Sequence, residues 1–593
     1  MPLALTYRVS IPAPATHLVH VEMTLAQTGD DSPLPPLVVF MAVWTPGSYL
    51  VREFARHIEG LAAEGPATAT KVRKNAWRVD PGAASSAVLR YRVFAAELTV
   101  RTSHVDDAHA FLTGAGIFLG VEDRLDTPST IEIALPPGWR AVTSLRKTRT
   151  EDARVASFAA PDFDTLVDSP FELGAPLEET FDVLGKPHRL TVCPASMVPR
   201  AEALRLVEDT KAIVKTEAKL FGDALPYDAY EFILHLSTRA RGGLEHRSCA
   251  ALIAAAGSFT TREGYLDLLS LVAHELFHAW NVKRIRPGGL SPYLYDAECY
   301  TRGLWWFEGG TSYYDWRVLA LAELCTVDEY LDHLAAEIAY LDQTPGRLVH
   351  PLADASFDAW IKLYRPDENS ANSSVSYYRK GEIVCALLDL EIRARTAGRS
   401  SLDAVLGELW KQHGASETPV PEGGLPAFFE RVSGADLKDL FDAWVHRATE
   451  IDYGRTLAHV GLMVERTSRS EAPSAALSVR LRADGGRTVV ASSMRDGAAW
   501  RAGIDAGDEL VSIGGARVEG TNVEPILRGR SPGDSVTVLV ARDGRIASKT
   551  VTLDAARPDR VKIVPVREPG AAARDAFAAW LGAPYPSARK AGA

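Results

Sequence analysis

Five consecutive residues, His274-Glu275-Leu276-Phe277-His278, carry the sharpest chemical signal in the sequence. In a helix, side chains four apart share a face, so both imidazoles can reach one metal ion. Glu275 follows the first His and is placed to take a proton from water activated by that metal. With 15 His among 593 residues, such a pattern arises by accident roughly 0.02 times in a chain of this length. The surroundings argue the same way. The motif lies in the apolar run LLSLVAHELFHAW, where two buried imidazoles and a carboxylate are costly unless they bind something. A catalytic zinc takes three protein ligands and keeps one position open. Glu308, in WWFEGGTSYYDW, is the candidate third ligand, at the start of an expected helix whose dipole favours its charge.

These residues need a scaffold, and composition bounds it. The chain has 65 Lys+Arg against 76 Asp+Glu, a formal net charge of −11. Its length exceeds what one hydrophobic core supports and implies about three to five domains. Hydrophobic residues make up 46% and charged residues 24%, which excludes a disordered chain, a collagen-like repeat or a long coiled coil. A mildly acidic chain is a poor partner for nucleic acid. Cys193, Cys249, Cys299, Cys325 and Cys385 are scattered without a CxxC pair, so neither a Cys-based zinc site nor a disulfide framework is indicated. No run of 18 uncharged apolar residues and no leader-like N-terminus is present. We therefore expect no membrane partner and a cytoplasmic location.

Along the chain the hydrophobic period changes twice. Short β-forming runs fill residues 1–170 (TYRVSI, HLVHVEMTL, PLVVFMAVW, AVLRYRVFA, STIEIALPP) and predict an antiparallel β domain. From residue 171 to 320, helical spacing in RAEALRLVEDTKAIVKTEAKLFG alternates with the strand-like YEFILHLST and CAALIAAAG. A helix is then expected over GYLDLLSLVAHELFHAWNVKRI, closed by Pro287 and Gly288. Residues 321–455 read as helices. Strand signals return over 460–565, and the Ala/Gly/Pro-rich tail, 566–593, holds one amphipathic piece, ARDAFAAWLG, suited to dock on a neighbour.

HELFHAWNVKRIRP followed by FEGGTSYYDW resembles the glycyl aminopeptidase family, a gluzincin branch of the zinc metallopeptidases. WTPGSYLVREFARHI (44–58) resembles that family's N-terminal domain, and 460–565 its PDZ domain. The resemblance implies a multidomain α+β protein: an N-terminal β domain, a thermolysin-like α/β catalytic core (171–320) with a helical half (321–455), and a C-terminal PDZ-like β domain. It implies one zinc per chain held by His274, His278 and Glu308, with Glu275 as general base. Gly242-Gly243-Leu244-Glu245-His246 resembles the G-x-M-E-N segment of related aminopeptidases, whose Glu binds the substrate amine; Leu and His depart from that pattern. Tyr378-Arg379-Lys380-Gly381 resembles Y-x-K-G, whose Tyr supports the oxyanion, with Tyr377 adjacent.

The implied activity is removal of an N-terminal residue, Gly or Ala by preference, from peptides with a free amine. A carboxylate on a strand edge beside the metal is a direct way to recognise such a cation. Two other functions fit parts of the sequence. A thermolysin-type endopeptidase would use the same metal without the amine anchor. A non-catalytic scaffold would use the PDZ-like module, whose nearest carboxylate loop is Ala476-Leu477-Ser478, to hold a peptide or an intramolecular partner.

Overall fold

The computed structural model describes residues 3–29, 32–148, 154–468 and 474–586. The last residues of the tail, 587–593, lie outside the described residues. The chain forms two compact units. One comprises residues 1–301, 314–324 and 406–422; the other comprises 302–313, 325–405 and 423–593.

The first unit opens with β structure. Alternation in LALTYRVS buries Leu5, Tyr7 and Val9, the inward face of a seven-stranded sheet. That sheet is not wholly antiparallel, as the sequence led us to expect: Leu3–Ser10 runs parallel to Ser129–Ala134. A five-stranded sheet beside it contains β1 (Thr102–Val105), β2 (His109–Leu112) and β3 (Phe171–Gly174).

A second five-stranded sheet follows, from β4 (Leu177–Val183), β5 (Lys186–Cys193), β6 (Tyr230–Ser237), β7 (Gly242–Glu245) and β8 (Cys249–Ala255). Its order is β4-β5-β6-β8-β7. The central strand β6 is buried along all but its last residue, as expected of a parallel strand covered on both faces. β7 is the edge strand and pairs only with β8, antiparallel.

Helices α1 (Arg200–Leu220) and α2 (Arg262–Phe277) accompany this sheet. The Thr261 side chain accepts the Gly264 N–H and caps α2. α2 ends earlier than the sequence suggests. The apolar period continues through HAWNVKRI, yet the chain turns there, with Val282 at φ 109°. Arg284 donates to the carbonyl of Ala279 at 2.7 Å, and the Trp280 ring stacks on Phe221 at 4.7 Å. The segment is apolar because it packs as a buried turn, not because it is helical.

In the second unit α3 (Leu304–Phe307) runs through Glu308 into the start of α4 (Gly309–Leu321), whose residues from 314 on belong to the first unit. α5 (Val327–Asp342), opened by a Thr326/Glu329 capping box, and α6 (Arg379–Arg395) follow. The C-terminal module closes over its own core of Val490, Leu510, Ile513, Val538, Val540 and Val551, with Ala498 and Ala499 from a short helix. Leu462–Thr467 pairs with Arg560–Pro565 and joins the two ends of that module. Beyond it, α7 (Ala571–Leu581) buries Phe577, Trp580 and Leu581. Trp580 donates its indole N–H to the Tyr313 hydroxyl at 3.0 Å, so the amphipathic tail docks within its own unit.

Candidate metal centre

His274 sits on the last turn of α2 and His278 is its C-cap, with their Nε2 atoms 3.2 Å apart. Each ring is oriented through its other nitrogen. His274 Nδ1 faces the Asp315 carboxylate at 2.9 Å, and His278 Nδ1 meets the backbone carbonyl of Asn281 at 2.8 Å. A carboxylate or carbonyl accepts, so both Nδ1 atoms carry the hydrogen and both Nε2 atoms present lone pairs toward one point. Two lone pairs at that separation repel unless a cation lies between them, so the donor chemistry fits a divalent metal. The early end of α2 acquires a purpose here: the turn after Phe277 brings the Asn281 carbonyl back onto His278.

Glu275 is buried, and its carboxylate lies against β7. A β-carbon on Gly243 would fall on that carboxylate, so the strand approaches α2 only because this residue is glycine. Two positions on, Glu245 is also buried. Donor atoms of Glu245, Glu275 and His278 lie within 4.8 Å of one another. Glu245 Oε1 has no hydrogen-bond partner among the described residues. Its other neighbour is Gly47, at φ 92°, where a β-carbon would overlap the Glu245 carboxylate. Gly47 belongs to Trp44-Thr45-Pro46-Gly47-Ser48-Tyr49, in which Trp44 and Tyr49 are buried. Trp44 is held by donation to the Leu294 carbonyl at 2.6 Å. Gly242 lies away from this group. A β-carbon there would meet the Arg101 guanidinium at 3.3 Å, and Arg101 donates to the Gly243 carbonyl at 3.1 Å.

The chain just past Glu245 is fixed by a buried charge cluster. Asp168 accepts from Lys283 Nζ at 2.8 Å and from the Arg247 backbone N–H at 2.7 Å. The His246 ring lies 3.2 Å away. Burial alone would raise the Asp168 pKa, but Lys283 and His246 outweigh it and hold the carboxyl well below the usual range.

In the second unit Glu308 is buried, its carbonyl accepting the Ser312 N–H at 2.8 Å to start α4. The next residue, Gly309, faces Gly381 at the start of α6. A β-carbon on Gly309 would come 2.5 Å from the Gly381 Cα. This glycine contact brings Glu308 and the tyrosines preceding α6 close together. Tyr377 is fully buried and Tyr378 partly exposed. The Tyr378 hydroxyl lies 3.3 Å from that of Tyr364. Burial, then the charge of Glu308, push the Tyr378 pKa well above its usual value, so the phenol keeps its proton and can donate.

Of the residues expected from sequence, His274, His278, Glu275, Glu245 and Gly243 assemble in the first unit, and Glu308 and Tyr378 in the second. Asp315, the Asn281 carbonyl, Gly47 and the Gly309–Gly381 contact were not anticipated. Only the W-T-P-G-S-Y and E-G-G motifs hinted at them.

Protein-family models match three segments: Peptidase M61 N-terminal domain at residues 6–175, M61 glycyl aminopeptidase at 267–384, and PDZ domain at 489–542. The second match contains His274, His278, Glu308 and Tyr378. The N-terminal and catalytic segments thus both match M61 peptidase models. The chain is accordingly a metallopeptidase with a C-terminal PDZ domain. Its structure is similar to that of an aminopeptidase N family protein from Idiomarina loihiensis, at 27% identity and TM-score 0.89, covering 97% of this chain and 100% of that one. An M1 zinc metallopeptidase from Deinococcus radiodurans matches at 16% identity and TM-score 0.47, over 76% of this chain and 96% of that one. No curated protein matches. Among the described residues, no helix is long and apolar enough to cross a membrane.

Proposed function

We propose that the chain is a zinc aminopeptidase that removes small N-terminal residues, Gly or Ala, from peptides with a free amine. One zinc per chain is held by His274, His278 and Glu308, a donor set suited to that ion. The observation that carries this reading is the pair of imidazoles with facing Nε2 atoms 3.2 Å apart and both Nδ1 atoms engaged. Zinc, when bound, supplies Lewis-acid polarisation of the scissile carbonyl and lowers the pKa of water.

The chain's own residues do the rest. Glu275 accepts the proton of the attacking water and returns it to the leaving amine. Glu245, buried with Oε1 unmatched beside Glu275 and His278, pairs with the substrate ammonium and sets the cut one residue from the terminus. The Gly242-Gly243 backbone lies along the substrate, and Gly243 leaves room for Glu275. Tyr378 donates to the oxygen that gains charge in the transition state. The preference for small residues rests on the family resemblance. Loop 44–49 crowds the amine site from one side.

The test compares Gly- and Ala-arylamides with their N-acetylated forms, with and without chelator. Turnover should need the free amine, vanish with chelator and fall about 10²–10⁴-fold in Glu275→Gln. Equal cleavage of the acetylated forms points instead to an endopeptidase. The PDZ groove, about 710 Å³ and lined by Ala476, Leu477 and Ser478, is where we place an extended peptide ligand. Labelled C-terminal peptides that fail to bind the full chain would rule that out.

A further inference from the structure

Away from α2, four strands of the first unit bring a second set of potential metal-binding side chains together. Glu172 of β3 is the centre, with no exposed surface. Its Oε1 lies 3.0 Å from His109 Nδ1 and 2.9 Å from Cys193 Sγ, and its Oε2 lies 2.9 Å from His235 Nε2. The topology explains the meeting. Phe111, two residues past His109 on β2, is the register partner of Glu172 on β3. Cys193 at the end of β5 is the register partner of His235 on β6. The N-terminal sheet thus presents His109 and Glu172 to a thiol and an imidazole from the catalytic sheet.

We propose that His109, Glu172 and Cys193 form a second metal site, for zinc or a similar thiophilic divalent cation, that staples the N-terminal sheet to the catalytic sheet.

The donor atoms of these three residues lie within 4.8 Å of one another, and all three are buried. Their spacing, 2.9–3.0 Å about Glu172 Oε1, is as close as the 3.2 Å between the Nε2 atoms of His274 and His278. Imidazole, carboxylate and thiolate together suit zinc and exclude magnesium or calcium, which take all-oxygen shells. A thiol is also a poor donor to spend on a fully buried carboxylate, whereas a cation between them satisfies both. A route inward exists: His104 and Asp106, partly exposed, form a neighbouring donor group with His109 within 4.8 Å.

The proton balance is simple. Binding expels the Cys193 S–H proton, and His109 Nδ1 gives up its hydrogen, leaving the ring neutral with its hydrogen on Nε2. His235 stays on Glu172 Oε2 as a positioning residue, its Nδ1 buried without a partner among the described residues. Without metal, burial raises the Glu172 pKa and His235 and His109 outweigh it, leaving it at about 2.

The catalytic donor set contains no sulfur, so cobalt substitution separates the two sites. Full-length protein reconstituted with Co²⁺ should show a thiolate-to-cobalt charge-transfer band in the near ultraviolet and bind about two equivalents of metal. Cys193→Ala should abolish the band and lower the count to about one. The double variant His274→Gln/His278→Gln should keep the band while losing the other equivalent. His109→Ala gives a second route to the same loss. Absence of the band in the wild type, or its persistence in Cys193→Ala, overturns the proposal and leaves Glu172 as a metal-free buried ion pair. Neither result bears on the zinc aminopeptidase reading, which fails only through the α2 histidines.

Discussion

The carboxylate of Glu245 occupies the space that a β-carbon on Gly47 would need. The two residues are almost 200 positions apart, and they meet because Trp44 anchors the 44–49 loop to the Leu294 carbonyl. Gly47→Ala should therefore act on substrate recognition as well as stability. Its φ of 92° alone costs an L-residue about 1 kcal/mol. Displacing Glu245 by a fraction of an ångström should lower kcat/KM for Gly-arylamide about 10²-fold, with metal content unchanged. Near-normal kinetics in this variant would show that Glu245 does not hold the amine.

Gly243→Ala makes a parallel case for the base. The new β-carbon would fall on the Glu275 carboxylate, and a base pushed off its line loses most of its effect. We expect kcat to drop about 10²-fold or more, approaching Glu275→Gln, with zinc retained. Steady-state kinetics on two arylamides, together with metal analysis of the same sample, check this.

Asp315→Asn tests the orientation of His274. The amide can still accept a hydrogen bond from Nδ1, but the negative charge that makes the ring a stronger ligand is gone. Zinc affinity should weaken about 10–100-fold, read by competition with a chromophoric chelator. Activity lost at low metal should return when zinc is added. A purely structural role for Asp315 predicts loss that zinc does not rescue.

His188 should make the first unit acid-sensitive. Burial holds its pKa at about 4, against about 6.5 unfolded. The ring stacks on Phe181 at 5.2 Å. Its Nδ1–H donates to the Lys186 carbonyl, and Nε2 accepts the Tyr227 hydroxyl, both at 3.0 Å. A folded pKa below the unfolded one means that the unfolded chain binds more protons between those values. Stability then falls as the pH drops from about 6.5 to about 4 and levels off below, by up to roughly 3 kcal/mol. His188→Gln should flatten the slope of Tm against pH across that window. An unchanged slope would assign the acid sensitivity elsewhere.

The site was legible in sequence where the chemistry repeats on one helix. His274, Glu275 and His278 announce themselves by a four-residue spacing, and Glu308 and Glu245 by short motifs. What supports them was not legible, because it depends on contacts between distant segments. Asp315 reads as one more helix acid, and nothing local says that it meets His274. The HAWNVKRI segment keeps an apolar period that fits a helix, and only its packing reveals a turn. Cys193, solitary in sequence, acquires metal-binding neighbours only when β5 pairs with β6 and the N-terminal sheet lies beside them. The fold class followed from the change of period along the chain, whereas the parallel contact between Leu3–Ser10 and Ser129–Ala134 had no local signature.

The Tyr313 hydroxyl donates to Asp389 at 2.7 Å and accepts from Trp580 at 3.0 Å. One partner is thus supplied by α7, more than 250 residues downstream. The order of synthesis therefore matters. A nascent polypeptide must emerge at least as far as residue 581 before the stretch beginning at Glu308 has its final brace. Proteolytic nicking ahead of Ala571 would leave that brace held by packing and hydrogen bonds alone, with every proposed metal and proton-transfer group still in the chain.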